Sequence, residues 1–181
     1  MSLRYKTKSL FTTMDGCDLV IINAGVWHSD PDLDWQLQKQ MLVVNVVGFA
    51  AMAHAAFAYF RAQGRGHLVG ITSVAAGLAG KVASIYSATK AFDYMLLAGL
   101  LRYAEAHKLA IDVTDIRPGF VDTDMIKVRK NKFWEISSEQ AAEEIYVAIQ
   151  QRDKEVYVSK RWRIIAWVLK ILPDWVLNKI G

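Results

Sequence analysis

The sequence predicts an α/β protein: a parallel sheet covered by helices on both faces, in three layers. Three observations carry this expectation. Short, uninterrupted apolar runs rich in β-branched residues alternate with long stretches of helical composition, four times over. Continuous rather than alternating apolar strands belong to sheets buried on both sides. The chain has 181 residues, 53% of them hydrophobic and 22% charged. Such a chain can bury roughly 70% of its unfolded surface in one core, and a disordered polymer of this composition is excluded.

The first run, Asp18-Leu-Val-Ile-Ile22, lies between Gly16 and Asn23-Ala-Gly25 and reads as a buried strand. Ser29, Asp30, Pro31 and Asp32 supply loop and helix-start chemistry. From Asp34 to Gln63 the chain is rich in Ala, Leu, Met and Gln and has no proline, and Gly64-Arg65-Gly66 ends it. That pattern predicts one long helix with a glycine stop. His67–Ser73 is the second strand, followed by a small-residue loop through Gly77 and Gly80. Ser84–His107 is helical in composition, and Leu109–Ile116 is a third strand closed by Pro118-Gly119. Residues 120–136 are irregular. Ser137-Ser138-Glu-Gln suits a helix N-terminus, with a hydroxyl cap and an acid in the first turn. Glu155–Val158 is a fourth strand, and 161–180 a last, amphipathic helix. With three prolines, eleven glycines and no biased tract, residues 1–181 are expected to form a single domain.

Composition narrows the function classes. A lone cysteine, Cys17, excludes a disulfide framework and any multi-cysteine metal site. The four histidines show no metal-ligand spacing and read as structural or surface residues, so no metal is expected. The opening MSLRYKTKSLF lacks the apolar stretch of a secretory signal, which makes a reducing cytoplasm the expected compartment. The net charge is +4, and its densest basic run, Lys127–Lys132, reads as a solvated loop rather than a nucleic-acid patch.

Ligands of parallel sheets bind beyond the carboxyl ends of the strands, here Asn23-Ala24-Gly25, Thr72-Ser73 and Pro118-Gly119. Asn45, Ser73, Tyr86 and Lys90 stand at those ends or on the helices framing them. Tyr86 and Lys90 are one turn apart on one helix face. Tyrosine, at a reference pKa of about 10, is a poor base at neutral pH. A nearby ammonium favours the phenolate, and a tuned acid–base group contributes roughly 10²–10⁴ in rate. Alone, a Tyr-x-x-x-Lys pair also fits a solvated helix face. Asn23 also fits a turn cap, Pro118-Gly119 a strand end, Ser73 a terminal hydroxyl and Asn45 a backbone-satisfying helix residue.

Taken in order, Asn23-Ala-Gly25, Asn45, Thr72-Ser73, Tyr86-Ser-Ala-Thr-Lys90 and Pro118-Gly119-Phe-Val-Asp-Thr123 resemble the short-chain dehydrogenase/reductase family from about Cys17 onward. The resemblance implies a Rossmann-like, doubly wound parallel sheet. It implies an oxidoreductase that uses NAD or NADP to interconvert an alcohol and a ketone or other carbonyl in a small-molecule substrate. By resemblance, Tyr86 is the general acid/base, Ser73 orients and polarises the substrate oxygen, and Lys90 binds the nicotinamide ribose and lowers the Tyr86 pKa. Asn45 holds a water of the proton relay. Asn23, Ala24 and Gly25 lie along the adenosine half of the cofactor, and Pro118, Gly119, Val121 and Thr123 contact its nicotinamide end. The irregular 120–136 stretch falls where the family keeps its substrate lid.

One part of the pattern is missing. Residues 1–17 hold a single glycine, Gly16, with no apolar strand before it. The glycine-rich strand–turn–helix that meets a pyrophosphate has no counterpart there, and an N-terminally truncated form of the fold is expected. A catalytically inactive remnant serving as an interaction or oligomerisation protein is the alternative function. The last helix, 161–180, carries three of the six tryptophans, but its longest apolar run, Ile164–Leu169, is far short of a ~20-residue membrane span. It is expected to pack on the domain, to form a subunit interface, or to lie on a membrane surface. A homo-oligomer is expected from the resemblance, through the two long helices 34–63 and 84–107.

Overall fold

The computed structural model of the protein describes residues 11, 16–28, 32–77, 84–123 and 134–172. Four strands form one parallel sheet in the order β1 (Leu19–Ile22), β2 (Arg65–Ile71), β3 (Ala110–Pro118), β4 (Glu155–Val158). Register pairs Ile22 with Gly70, Ile71 with Ile116, and Pro118 with Val158. The carboxyl ends of β1, β2 and β3 therefore lie side by side.

Helix α1 (Trp35–Met41) starts at Asp34, whose Oδ1 accepts from the Gln36 amide at 2.7 Å. It continues through a π-helical stretch, Leu42–Gly48, into α2 (Phe49–Gln63). The composition of 34–63 predicts one uniform helix; the structure widens its middle, where an i→i+5 winding accommodates Asn45. Gly64 closes α2 in the left-handed conformation (φ +89°), its amide bonding Phe60 O at 2.8 Å. Helix α3 (Ser84–Ala106) follows a 3-10 turn, Val74–Gly77; α4 (Ser138–Gln151) precedes β4 and α5 (Arg161–Ile171) follows it. The Ser137 hydroxyl caps α4 by accepting from the Gln140 amide at 3.1 Å.

Side chains alternate across each strand, and the two larger of three buried clusters lie on opposite faces of the sheet, the third gathering Val74, Tyr157 and Trp162. Leu68, Ile111 and Val113 pack against Phe49, Ala53, Phe57 and Phe60 of α2 and Leu97 and Ala104 of α3. Val69, Ile116 and Val158 face the other way, onto Ala141, Ala148 and Ile149 of α4. Helices thus pack on both sheet faces, but the expectation that Asp18–Ile22 is buried fails at the edge. Leu19 (42%) and Ile21 (46%) are exposed and Ile22 alone in β1 is buried, because β1 is the edge strand and its outer side lacks a covering element among the described residues. Among the described residues, the continuous helix Trp35–Gln63 alone has the length and apolarity to cross a membrane. Here its apolar side is core: Met41, Phe49, Phe57 and Phe60 are buried. Each such aromatic contributes roughly 1.5–3 kcal/mol by leaving water.

Strand boundaries depart slightly from the sequence expectation. The second strand begins at Arg65 rather than His67, because Gly66 is part of the ladder. A Cβ there would sit 2.1 Å from the Phe60 ring, so this glycine permits helix and strand to touch. The last helix is described to Ile171, and 173–180 lie outside the described residues, as do Lys127–Lys132 and most of the expected lid.

Candidate active site

The site is built from the strand ends upward. Asn45, fully buried at 0% exposure, joins three elements. Its Oδ1 accepts from the Val26 amide at 2.8 Å, and its Nδ2 donates to Val26 O at 2.9 Å and to Thr89 Oγ1 at 3.1 Å. Thr89 in turn donates to Tyr86 O at 2.7 Å. The loop after β1 is thereby fixed to the helix that carries Tyr86 and Lys90. A Cβ on Gly25 would meet Asn45 Oδ1 and Lys90 Nζ, each at 3.5 Å, so the Asn23–Gly25 turn faces both.

Lys90 is buried, and its Nζ donates to Ile71 O and to Asp93 Oδ2, both at 3.1 Å. The ammonium is thus held against the end of β2. Tyr86 is half-buried one turn earlier on the same face of α3. Burial pushes its phenol above the ordinary value; a hydrogen bond with the Ser73 side chain opposes this, and the charge of Asp93 reinforces it. Ser73 Oγ also accepts from the Ala75 amide at 3.1 Å, which sets its position at the start of the 3-10 turn. The resemblance implies that Lys90 lowers the Tyr86 pKa. In the structure Lys90 pairs with Asp93, and burial is the largest influence on the Tyr86 phenol.

The end of β3 completes the enclosure. The Gly119 amide donates to Val158 O at 2.6 Å, and a Cβ at Gly119 would lie 1.9 Å from Trp162 Nε1. Only a residue without a side chain lets the α5 indole approach here. Trp162 also meets Phe120 edge-on at 5.2 Å between ring centres. Val121 bridges to Ile136, and Thr123 is exposed. Asn45, Tyr86, Lys90 and Gly25 are therefore tied together by contacts, and Ser73 follows the end of β2 against which Lys90 is held. Asn23 and Ala24 stand exposed on the adjoining turn, and Pro118, Gly119, Val121 and Thr123 follow the neighbouring strand end.

Sequence reasoning missed a buried ionic cluster behind the site. Asp93 is fully buried beside Lys90, and its carboxyl is pushed up to about 6, chiefly by burial. Across on β3, Asp115 Oδ2 accepts from Arg117 Nε at 2.6 Å, and Thr72 Oγ1 donates to Asp115 Oδ1 at 2.5 Å. Arg117 also reaches Tyr157 Oη at 2.8 Å and Glu155 Oε2 at 3.0 Å, and lies 4.1 Å above the Tyr94 ring. The available signal was Asp93, three residues after Lys90 and just before the apolar run Met95–Leu101 of the same helix.

Comparison with known proteins agrees with this geometry. Residues 6–133 match the family model described as short chain dehydrogenase. An uncharacterized oxidoreductase of Staphylococcus aureus (strain USA300) is 38% identical over 113 residues, covering 61% of this chain and 48% of its own length. One from Staphylococcus haemolyticus (strain JCSC1435) is 36% identical over 110 residues, covering 60% and 47%. The chain spans about half the length of these curated relatives. A short chain dehydrogenase from Burkholderia cenocepacia J2315, solved in complex with NADP, superposes with a TM-score of 0.83 at 21% identity, over 99% of this chain and 76% of that one. A short-chain dehydrogenase from Sphingobium yanoikuyae, solved with NADPH, gives 0.77 at 19%, over 92% and 68%. At these identities the structures share the Rossmann-like fold. With the family model covering most of its length, the chain belongs to the short-chain dehydrogenase family.

Proposed function

We propose that the chain carries the proton-handling part of an NAD(P)-dependent oxidoreductase that interconverts an alcohol and a carbonyl. The observation that supports this most is the convergence of two elements: Ser73 follows the end of β2, and the Lys90 ammonium, one helical turn from Tyr86 on α3, is held against that same end by its bond to Ile71 O at 3.1 Å. In the reducing direction the Tyr86 hydroxyl gives its proton to the substrate oxygen, while the Ser73 hydroxyl holds that oxygen in place. Thr89 and Asn45 fix the helix and loop between which this occurs. The bound nicotinamide supplies or accepts the hydride.

The residues present fit the nicotinamide half of such a cofactor. An ammonium has three N–H donors, and among the described residues Lys90 uses two, on Ile71 and Asp93. The third suits a ribose hydroxyl. Asn23, Ala24 and Gly25 would flank the adenosine half, and Pro118, Gly119, Val121 and Thr123 the nicotinamide. Among the described residues no glycine-rich turn joins a strand to a helix N-terminus. The neighbours solved with NADP and NADPH favour a nicotinamide dinucleotide in general. Replacing Tyr86 by Phe tests the assignment: turnover falls by roughly 10²–10⁴ while cofactor affinity holds, and undiminished turnover ends it.

Association is part of the same reading. Val43 and Val47 on the π-helical stretch and Phe92, Met95 and Tyr103 on α3 are exposed apolar residues. They suit a homo-oligomer built through the two long helices, which light scattering would reveal. On α5, Ile164 (66% exposed) and Trp167 (64%) project outward beside Arg161 and Arg163. This face suits peripheral contact of a cytoplasmic protein with a membrane surface, and pelleting with anionic liposomes would be lost in Trp167→Glu.

A further inference from the structure

We propose that Asp93 is a positioning residue for this site: by neutralising Lys90 it holds Tyr86 in the proton-donating form and biases the site toward carbonyl reduction. The inference rests on the acid/base assignment of Tyr86 and adds a direction to it.

Lys90 Nζ and Asp93 Oδ2 are 3.1 Å apart, with side chains 5% and 0% exposed, one turn apart on α3. Among the described residues Asp93 is the carboxylate paired with Lys90, so the ammonium one turn from Tyr86 is one half of a buried pair. Asp93 Oδ1 has no hydrogen-bond partner among the described residues. A buried carboxylate that leaves an oxygen unsatisfied is costly. Its partner Lys90 is equally buried and would be left uncompensated by an amide or an apolar residue at this position. What the carboxylate supplies here is its charge.

The groups facing Asp93 can be named from each packed element. Lys90 and Tyr86 share its helix. Asp115 on β3 acts on it with like charge but is itself tied to Arg117 and Thr72, and Glu155 on β4 lies beyond Arg117. Lys90 is thus the cation that Asp93 balances directly. The sign of the effect on the phenol follows: the Asp93 charge raises Tyr86, adding to the effect of burial. An uncompensated Lys90 would act in the opposite sense and favour phenolate. A phenol retained at neutral pH is an acid ready for a carbonyl oxygen; alcohol oxidation needs the phenolate.

The test reads Tyr86 itself. The chain is labelled with tyrosine carrying ¹³C at Cζ, and the resonance missing in Tyr86→Phe identifies Tyr86. Its ionisation midpoint is then followed by NMR in the parent and in Asp93→Asn. The midpoint is expected to fall by about one pH unit, a tenfold gain in the phenolate-to-phenol ratio at fixed pH. Asp93→Glu, which restores the charge, should return it toward the parent value. An unchanged or raised midpoint in folded Asp93→Asn overturns the proposal. If Asp93→Asn does not fold, as judged by circular dichroism, Asp93→Ser gives the same readout with the same two outcomes. Turnover separates this from the parent reading. Loss of the Asp93 effect with activity still dependent on Tyr86 removes only the poise, whereas activity indifferent to Tyr86→Phe removes the acid/base assignment.

Discussion

Replacing Asn45 by Ala removes the link between the loop after β1 and the helix bearing Tyr86 and Lys90. Three hydrogen bonds disappear: two with the Val26 backbone and one with Thr89 Oγ1. At a net ~1 kcal/mol each, the loss is about 3 kcal/mol, and the void left by a fully buried side chain adds to it. For a domain of this size that corresponds to a fall in Tm of roughly 6–12 °C. The more specific consequence is local. Val26 N–H would exchange with solvent far faster in the variant, because its acceptor, Asn45 Oδ1, is gone, while amides of the β2–β3 ladder keep their relative protection. Urea unfolding followed by circular dichroism gives the global figure, and hydrogen exchange gives the local one. A loss below ~0.5 kcal/mol with unchanged Val26 protection would refute the role assigned to Asn45, since surface substitutions alone stay within that range.

The remaining predictions are narrower. Gly119→Ala places a methyl within 1.9 Å of Trp162 Nε1, so the indole must leave the end of β3. The expected cost is about 1–3 kcal/mol, with a change in tryptophan fluorescence, and unaltered stability and emission would contradict the packing described. The Asp93 carboxyl is raised from 3.8 to about 6, so the stability it contributes is fully present below pH 3.8. It is lost as pH rises through about 6. Denaturant titrations of the parent relative to Asp93→Asn should therefore diverge by about 3 kcal/mol between pH 3.5 and 7.5, the parent losing ground. Parallel profiles would show that Asp93 is ionised at no unusual cost.

The strands and their ligand-bearing ends were legible in the sequence because β-branched runs between turn residues mark strands, although the burial such a run implies fails at β1, where Leu19 and Ile21 are exposed. Asn23-Ala-Gly25, Thr72-Ser73 and Pro118-Gly119 stand together at one edge of the sheet, as the strand–helix order requires. Other features escaped for physical reasons. Asn45 was identifiable as a residue needing a local partner, but the π-helical turn around it leaves no mark in composition. Gly66 looked like part of a helix stop, whereas the Phe60 ring lying on it, a tertiary contact, keeps it in the strand. Asp115 and Arg117 sit within an apolar run, and their mutual ion pair, with Thr72 and Tyr157, is what allows burial. Asp93 is the most consequential omission. An acid three residues after a lysine reads as an exposed helix pair, and only the fold places both beneath the surface.

The central claim is that Tyr86 exchanges the proton during interconversion of an alcohol and a carbonyl. The most direct measurement is nicotinamide absorbance during carbonyl reduction by the parent and by Tyr86→Phe, with dinucleotide affinity measured alongside by thermal shift. The account predicts a loss of turnover of roughly 10²–10⁴ with affinity unchanged. Equal turnover in Tyr86→Phe would contradict it.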